Sequence, residues 1–215
     1  MGAETYQAAF DVLSITRRLE QALDGVTRAE IHLLAYVACL LAMFRRVPAA
    51  EWGYGFIRSQ WGAPFSAEIE GALVMLAEGG LVRIRRETLA MTTAGEEMLG
   101  FLDGTVEHGW RIQYLEGACD SALAMSAGVI RDALRQEPGL RRASVHHEPR
   151  NLLGAGEDAA LYEQFGILSS VVSVEVSDLM VPSVLWLSYL KEIQRLEIER
   201  RSNEVGLNEA PNQSE

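Results

Sequence analysis

Cysteine is nearly missing from this chain of 215 residues, with only Cys39 and Cys119 present and far apart. That excludes a disulfide framework, a CxxC redox pair and a cysteine-based zinc site. Two isolated thiols are expected to pack as small hydrophobes. Lysine is scarcer still: Lys191 stands alone beside eighteen arginines, a skew that reflects GC-rich, bacterial codon usage rather than chemistry. Long apolar runs are also wanting. The longest, from Ile31 to Phe44, spans about fourteen residues against the roughly twenty needed to cross a bilayer. The first residues, Met1-Gly2-Ala3-Glu4-Thr5, carry no basic and apolar leader and no myristoylation pattern, so a cytoplasmic location away from membranes is expected. Positive charge is short as well. Nineteen basic against thirty acidic residues leave a net charge of −11, which disfavours binding nucleic acid by charge alone. Contact with DNA is expected only locally, weakly or through a complex.

Recognisable chemistry is the last absence. There is no GxSxG elbow, no GxxxxGK[ST] and no GxGxxG, and Gly53-Tyr54-Gly55 is not followed by the Lys and Ser/Thr of a phosphate loop. His146-His147-Glu148 places adjacent ligands that point apart, with no second pair nearby, and reads as a polar loop. His32 lies on an apolar helix and reads as a satisfied core or boundary histidine. The expectation is a protein without catalytic residues, metal, cofactor or small-molecule substrate.

What is present is a composition able to build a core, 48% hydrophobic and 23% charged. Phe10, Leu13, Ile15 and Leu19 predict a helix over residues 4–23. Thr27-Arg28-Ala29-Glu30 has the capping-box form and starts a second helix to Arg46, apolar on more than one face and hence central. A short helix is expected over Glu51–Trp61, then a turn at Gly62-Ala63-Pro64. A further helix, capped by Ser66, carries Ile69, Leu73 and Leu76 to Gly79-Gly80. Leu81 to Thr92 alternates as a hairpin around Arg86-Glu87-Thr88, and Thr93-Ala94-Gly95-Glu96 opens another helix. Beyond it the pattern predicts a helix over 113–135 ended by Glu137-Pro138-Gly139, a loop over 141–158, and apolar helices over 159–200 divided at Pro182. Leu168 to Val181 fits helix better than strand because its flanks are helical.

Helix, short helix, turn, helix and two-stranded wing, in that order across residues 28–93, is the order of a winged helix-turn-helix. The expected fold is therefore mainly α: an N-terminal winged helix with a small β wing over 1–106, a helical docking region over 107–201, and a disordered tail over 202–215. A helix that reads DNA needs cations and amides on its outer face. Residues 66–79 instead hold Glu68, Glu70 and Glu78 and no Arg, Lys, Asn or Gln. Arg83, Arg85 and Arg86 in the wing can touch a DNA backbone, and they serve equally as a charged edge that discourages strand pairing. The balance favours a winged helix that docks proteins.

Trp52, Tyr54, Phe56, Trp61 and Phe65 crowd one short segment, and Trp186 and Tyr189 lie in the last helix. These rings either close the core or stand out as aromatic anchors of an interface. The stretch His32-Leu33-Leu34-Ala35-Tyr36, Leu40-Leu41, Glu51 to Phe56, Gly62 to Ser66 and Leu73 to Leu81 resembles the middle components of bacterial ABC-three-component, Lamassu-type anti-phage systems, over about residues 27–100. That resemblance implies an adaptor bridging an SMC/Rad50-like ATPase and an effector, with the aromatic segment, the wing arginines and the C-terminal helix as contacts. The alternative is a PadR-like transcription regulator dimerising through its C-terminal helices. Trp52→Ala separates the two uses of that ring: partner binding weakens if it is an anchor, and the melting temperature falls if it is core.

Overall fold

The computed structural model describes residues 3–145, 151–154 and 158–208. Among them the chain is mainly helical with a small antiparallel sheet. The N-terminal half comprises α1 (Ala3–Glu20), β1 (Val26–Thr27), α2 (Arg28–Phe44), a 3-10 turn (Ala49–Trp52), β2 (Ile57–Arg58), β3 (Pro64–Phe65), α3 (Ala67–Glu78), β4 (Val82–Arg85), β5 (Thr88–Met91) and α4 (Thr93–Asp103). There follow α5 (Val106–Gly109), α6 (Ile112–Ala124), α7 (Ala127–Leu134), α8 (Pro138–Ala143), α9 (Ala159–Val171) and α10 (Met180–Asn208).

The centre of the molecule is α2, in which every residue from Ile31 to Phe44 is buried. Its start is the capping box expected: the Glu30 amide donates to Thr27 Oγ1 and the Thr27 amide donates to Glu30 Oε2. Its end is a Schellman-type closure, Val47 N–H to Ala42 C=O and Arg46 N–H to Met43 C=O, with Arg46 in the left-handed position usually given to glycine. Around α2 pack α1, α6, α7 and α9. One hydrophobic cluster runs from Ala8 to Leu190 through all of them. α6 comes close to the chain before α10 at Gly117, where a Cβ would stand 2.6 Å from Leu179 Cβ. The helix propensity lost at that glycine is exchanged for a close approach.

In the sheet, β5 lies between β1 and β4, all antiparallel, with Val26 and Ile84 both opposite Leu89. β2 and β3 form a separate ladder that Asn151 extends by bridging to Ile57.

Several expected elements differ. The short helix over Glu51–Trp61 is a single 3-10 turn followed by a hairpin, because Gly53 adopts φ +89° and turns the chain out of the helix. The helix over 113–135 is two, broken where Met125 is extended and Ser126 caps α7. Glu137 does not end a helix but begins one, its carboxylate accepting from the Gly139 and Leu140 amides with Pro138 in the first position. The loop expected over 141–158 contains the end of α8 and the Asn151 bridge. Leu168–Val181 is helical to Val171 and again from Met180, with the chain between them outside any helix, and Pro182 sits in the first turn of α10, where its missing N–H has no partner to lose. Residues 202–208 continue α10 instead of fraying, and 209–215 lie outside the described residues. No described helix is long and apolar enough to cross a membrane.

The core holds a full ion pair. Arg111 and Asp11 are completely buried, with Nε 2.8 Å from Oδ1 and Nη2 on Oδ2. Arg111 Nη1 donates to the Trp52 carbonyl at 2.7 Å, the guanidinium lies 3.8 Å from the Trp52 ring centroid, and the Tyr54 hydroxyl donates to Asp11. Burial works against the guanidinium and the adjacent carboxylate outweighs it, so Arg111 is held above its ordinary value. Removing one partner strands a buried charge. Arg111→Met is expected to cost about 3–5 kcal/mol in urea unfolding, and adding Asp11→Asn to recover part of that loss.

Candidate protein-docking site

The aromatic segment divides between inside and outside. Trp52, Tyr54 and Phe56 are buried, the first at 1% exposure, so their rings offer no surface to a partner. The Arg111–Asp11 pair explains this, since it draws the Trp52 carbonyl and the Tyr54 hydroxyl inward. Phe56 packs edge-on against Tyr36, and Trp52 meets Trp110 and Tyr114. Phe65 is half-buried and stacks on His32. Trp61, nine residues after Trp52, is 80% exposed. Trp186 is buried, its indole N–H donating to Gln164 Oε1, whereas Tyr189 is 45% exposed one turn further along α10.

Trp186, Tyr189 and the last helix are contacts expected from sequence, but the α9 residues that stand beside them are not. Where α9 meets α10 a groove of about 210 Å³ is lined by Gln164, Ile167, Val171, Leu185, Trp186 and Tyr189. Ile167 and Val171 are 58% and 75% exposed, and Leu196 and Ile198 carry the apolar character along α10. The signal on α9 was the i, i+4 spacing of Ile167 and Val171, but the same spacing describes a helix packed inward. From Lys191 to Arg200 no α10 side chain is fully buried. α10 has 29 residues, roughly 43 Å of helix.

The wing arginines lie where alternation places them: Val82 is buried and Ile84 half-buried beneath, and Arg83, Arg85 and Arg86 are exposed, Arg86 at the tip with φ 58°. On α3 the exposed residues are Ala67, Gly71, Val74 and Glu78. Glu70 is held by Arg28 at 3.1 Å and by His32 Nε2 at 2.9 Å, and Glu68 accepts from Ser66 Oγ. The outer face of α3 thus presents apolar and acidic groups and no cation.

Two further polar groups are buried at junctions. Glu137 accepts from Gly139, Leu140 and the Tyr36 hydroxyl, tying α8 to α2. Burial raises its carboxyl above the ordinary range despite those donors. Cys39 and Cys119 are buried free thiols, pushed well up by burial. Among the described residues no group of three or more His, Cys, Asp and Glu side chains is placed to hold a metal, and His146-His147-Glu148 lie outside the described residues. No protein-family model matches this chain, and no curated protein or solved structure is significantly similar to it.

His32 joins α2 to the start of α3 through both ring nitrogens. The Ser66 amide donates to Nδ1 at 3.2 Å, which leaves Nε2 to donate to Glu70 and makes the neutral ring the satisfied form. Burial lowers its pKa below the ordinary 6.5, more than Glu70 raises it. The folded state therefore binds a proton less readily than the unfolded chain. The stability this contributes is whole above about pH 6.5 and declines as pH falls through the window below it. His32→Asn, which keeps an acceptor for Ser66, is expected to flatten the fall in melting temperature between about pH 7.5 and 5.5. Long-range proton–nitrogen spectra check the Nε2–H tautomer directly.

Proposed function

We propose that this chain is a non-enzymatic docking subunit built on a winged helix, an adaptor between an SMC/Rad50-like ATPase and an effector in an anti-phage complex. The groove between α9 and α10 carries the docking part of this reading. Ile167 and Val171 on α9 and Leu185 and Tyr189 on α10 are exposed, and no α10 side chain from Lys191 to Arg200 is fully buried, the arrangement that accepts an amphipathic partner helix. A winged helix is supported by the order α1, β1, α2, α3, β4, β5 with β5 central in the sheet. The ATPase and effector are what the sequence resemblance implies.

The regulator alternative shares the C-terminal helices, but the acidic and apolar face of α3 weighs against it, since phosphates repel carboxylates. Co-expression with the genomic neighbours, tagged purification, mass spectrometry and gel filtration decide between them. The adaptor reading expects a stoichiometric complex with a large coiled-coil ATPase, lost on Val171→Glu with Leu185→Glu at nearly unchanged melting temperature, since exposed substitutions cost within about 0.5 kcal/mol. A lone dimer that shifts its own promoter DNA, and ceases to on Arg83→Glu with Arg85→Glu, overturns it in favour of a repressor.

A further inference from the structure

The turn between β2 and β3 displays Trp61 without burying it. Ser59 N–H donates to Ala63 C=O at 2.8 Å, Gly62 N–H to Ser59 C=O at 2.9 Å, and Ala63 N–H to Ser59 Oγ at 3.1 Å. Gly62 at φ +79° supplies the left-handed step the turn requires. Such a turn favours small polar residues, and no part of this fold requires an indole at its third position. A large ring held by a fixed backbone, yet 80% exposed, is a preorganised contact.

Opposite Trp61 stand α7 and α8. Arg58, Gln60, Trp61, Arg135, Leu140 and Ser144 line a cleft of about 320 Å³. The Arg58 guanidinium lies against the turn, 3.1 Å from where a Cβ on Gly62 would be, and it has no carboxylate partner among the described residues. Arg135 is exposed, and the acid nearest it, Asp132 at 3.8 Å, is also shared with Arg131. Two guanidinium groups thus flank an exposed indole over the floor residue Leu140, in a chain whose net charge is −11.

We infer that this cleft binds an acidic peptide segment of a protein partner, its carboxylates on Arg58 and Arg135 and an apolar side chain against the exposed Trp61 ring. The fork of an arginine matches a carboxylate, and Trp and Arg are the residue types that dominate interface energies. A polyanionic nucleic acid is a poorer fit. Its affinity accumulates over many phosphate contacts, whereas the cleft has two guanidinium groups. The inference rests on the docking reading but uses a surface distinct from the α9–α10 groove.

The test is selection of displayed random dodecapeptides on the immobilised full chain. Enriched sequences are expected to carry a net charge of roughly −3 or lower around an apolar residue. A synthesised winner should bind wild type and bind Trp61→Ala or Arg58→Glu at least about tenfold more weakly. It should bind Arg83→Glu like wild type and weaken as salt is raised. Trp61→Ala, at so exposed a position, keeps the melting temperature, so its loss of binding reads the cleft and not the fold. No enrichment, enrichment without acidic bias, binding unchanged by both variants, or displacement by an equally charged single-stranded oligonucleotide at equal concentration overturns the inference. Failure here with the ATPase complex intact removes this cleft alone. Selection of acidic peptides while no neighbour co-purifies removes the adaptor reading and leaves the cleft.

Discussion

The Arg111–Asp11 pair is the constraint around which the molecule is arranged. A buried guanidinium is costly unless it is paired and its donors are used. Here Nε and Nη2 meet Asp11 on α1, Nη1 meets the Trp52 carbonyl, and the cation sits on the Trp52 face. Asp11 in turn accepts from Tyr54. Three segments remote in sequence, α1, the turn after α2 and the start of α6, are thereby brought to one point. The pair also decides which aromatic rings are interior. Once Trp52, Tyr54 and Phe56 are drawn in, the hairpin that follows projects outward and takes Trp61 with it.

Smaller polar junctions set what Trp61 faces. Glu137 caps α8 and accepts from Tyr36, so the α7–α8 corner is fixed against α2. His32 does the same for the start of α3, using Ser66 and Glu70. Each junction is a buried hydrogen-bonding group with its valences used, the condition under which burial of a polar side chain specifies position instead of opposing folding. The surfaces proposed for docking, the Trp61 cleft and the α9–α10 groove, both rest on helices packed on α2 or on its neighbours.

Charge is distributed to match this reading. Acidic residues stand without basic ones on α3 and α4, while Arg83, Arg85 and Arg86 are exposed on the wing and Arg58 and Arg135 stand beside Trp61. On α3 the carboxylates are partly consumed within the fold, Glu70 by Arg28 and His32, Glu68 by the Ser66 hydroxyl. What α3 shows to solvent is small, apolar or acidic, a face suited to protein contact far more than to phosphates.

Local physics alone was enough for α2, α3 and the β4–β5 hairpin, because capping hydroxyls at Thr27 and Ser66, apolar periods and the Gly79-Gly80 stop act within a few residues of themselves. α4 was legible as well, though its cap is the Thr92 hydroxyl, which accepts from the Gly95 amide, and not the Thr93 expected. The inward turn of Val82 and outward turn of Arg83 and Arg85 followed from alternation in the same way. Which aromatic rings are buried did not follow, since Trp52 and Trp61 lie in similar company and only the distant Arg111 distinguishes them. Nor did the role of Asp11, a carboxylate among apolar neighbours whose partner is a hundred residues away. The α9–α10 groove belongs to the same class: an apolar stripe states that a helix has a face to cover, and only the packing of the whole chain decides whether anything covers it. Sequence determined the elements, through interactions of short range; tertiary structure decided inside from outside, because burial is settled by residues that meet only after the chain has folded.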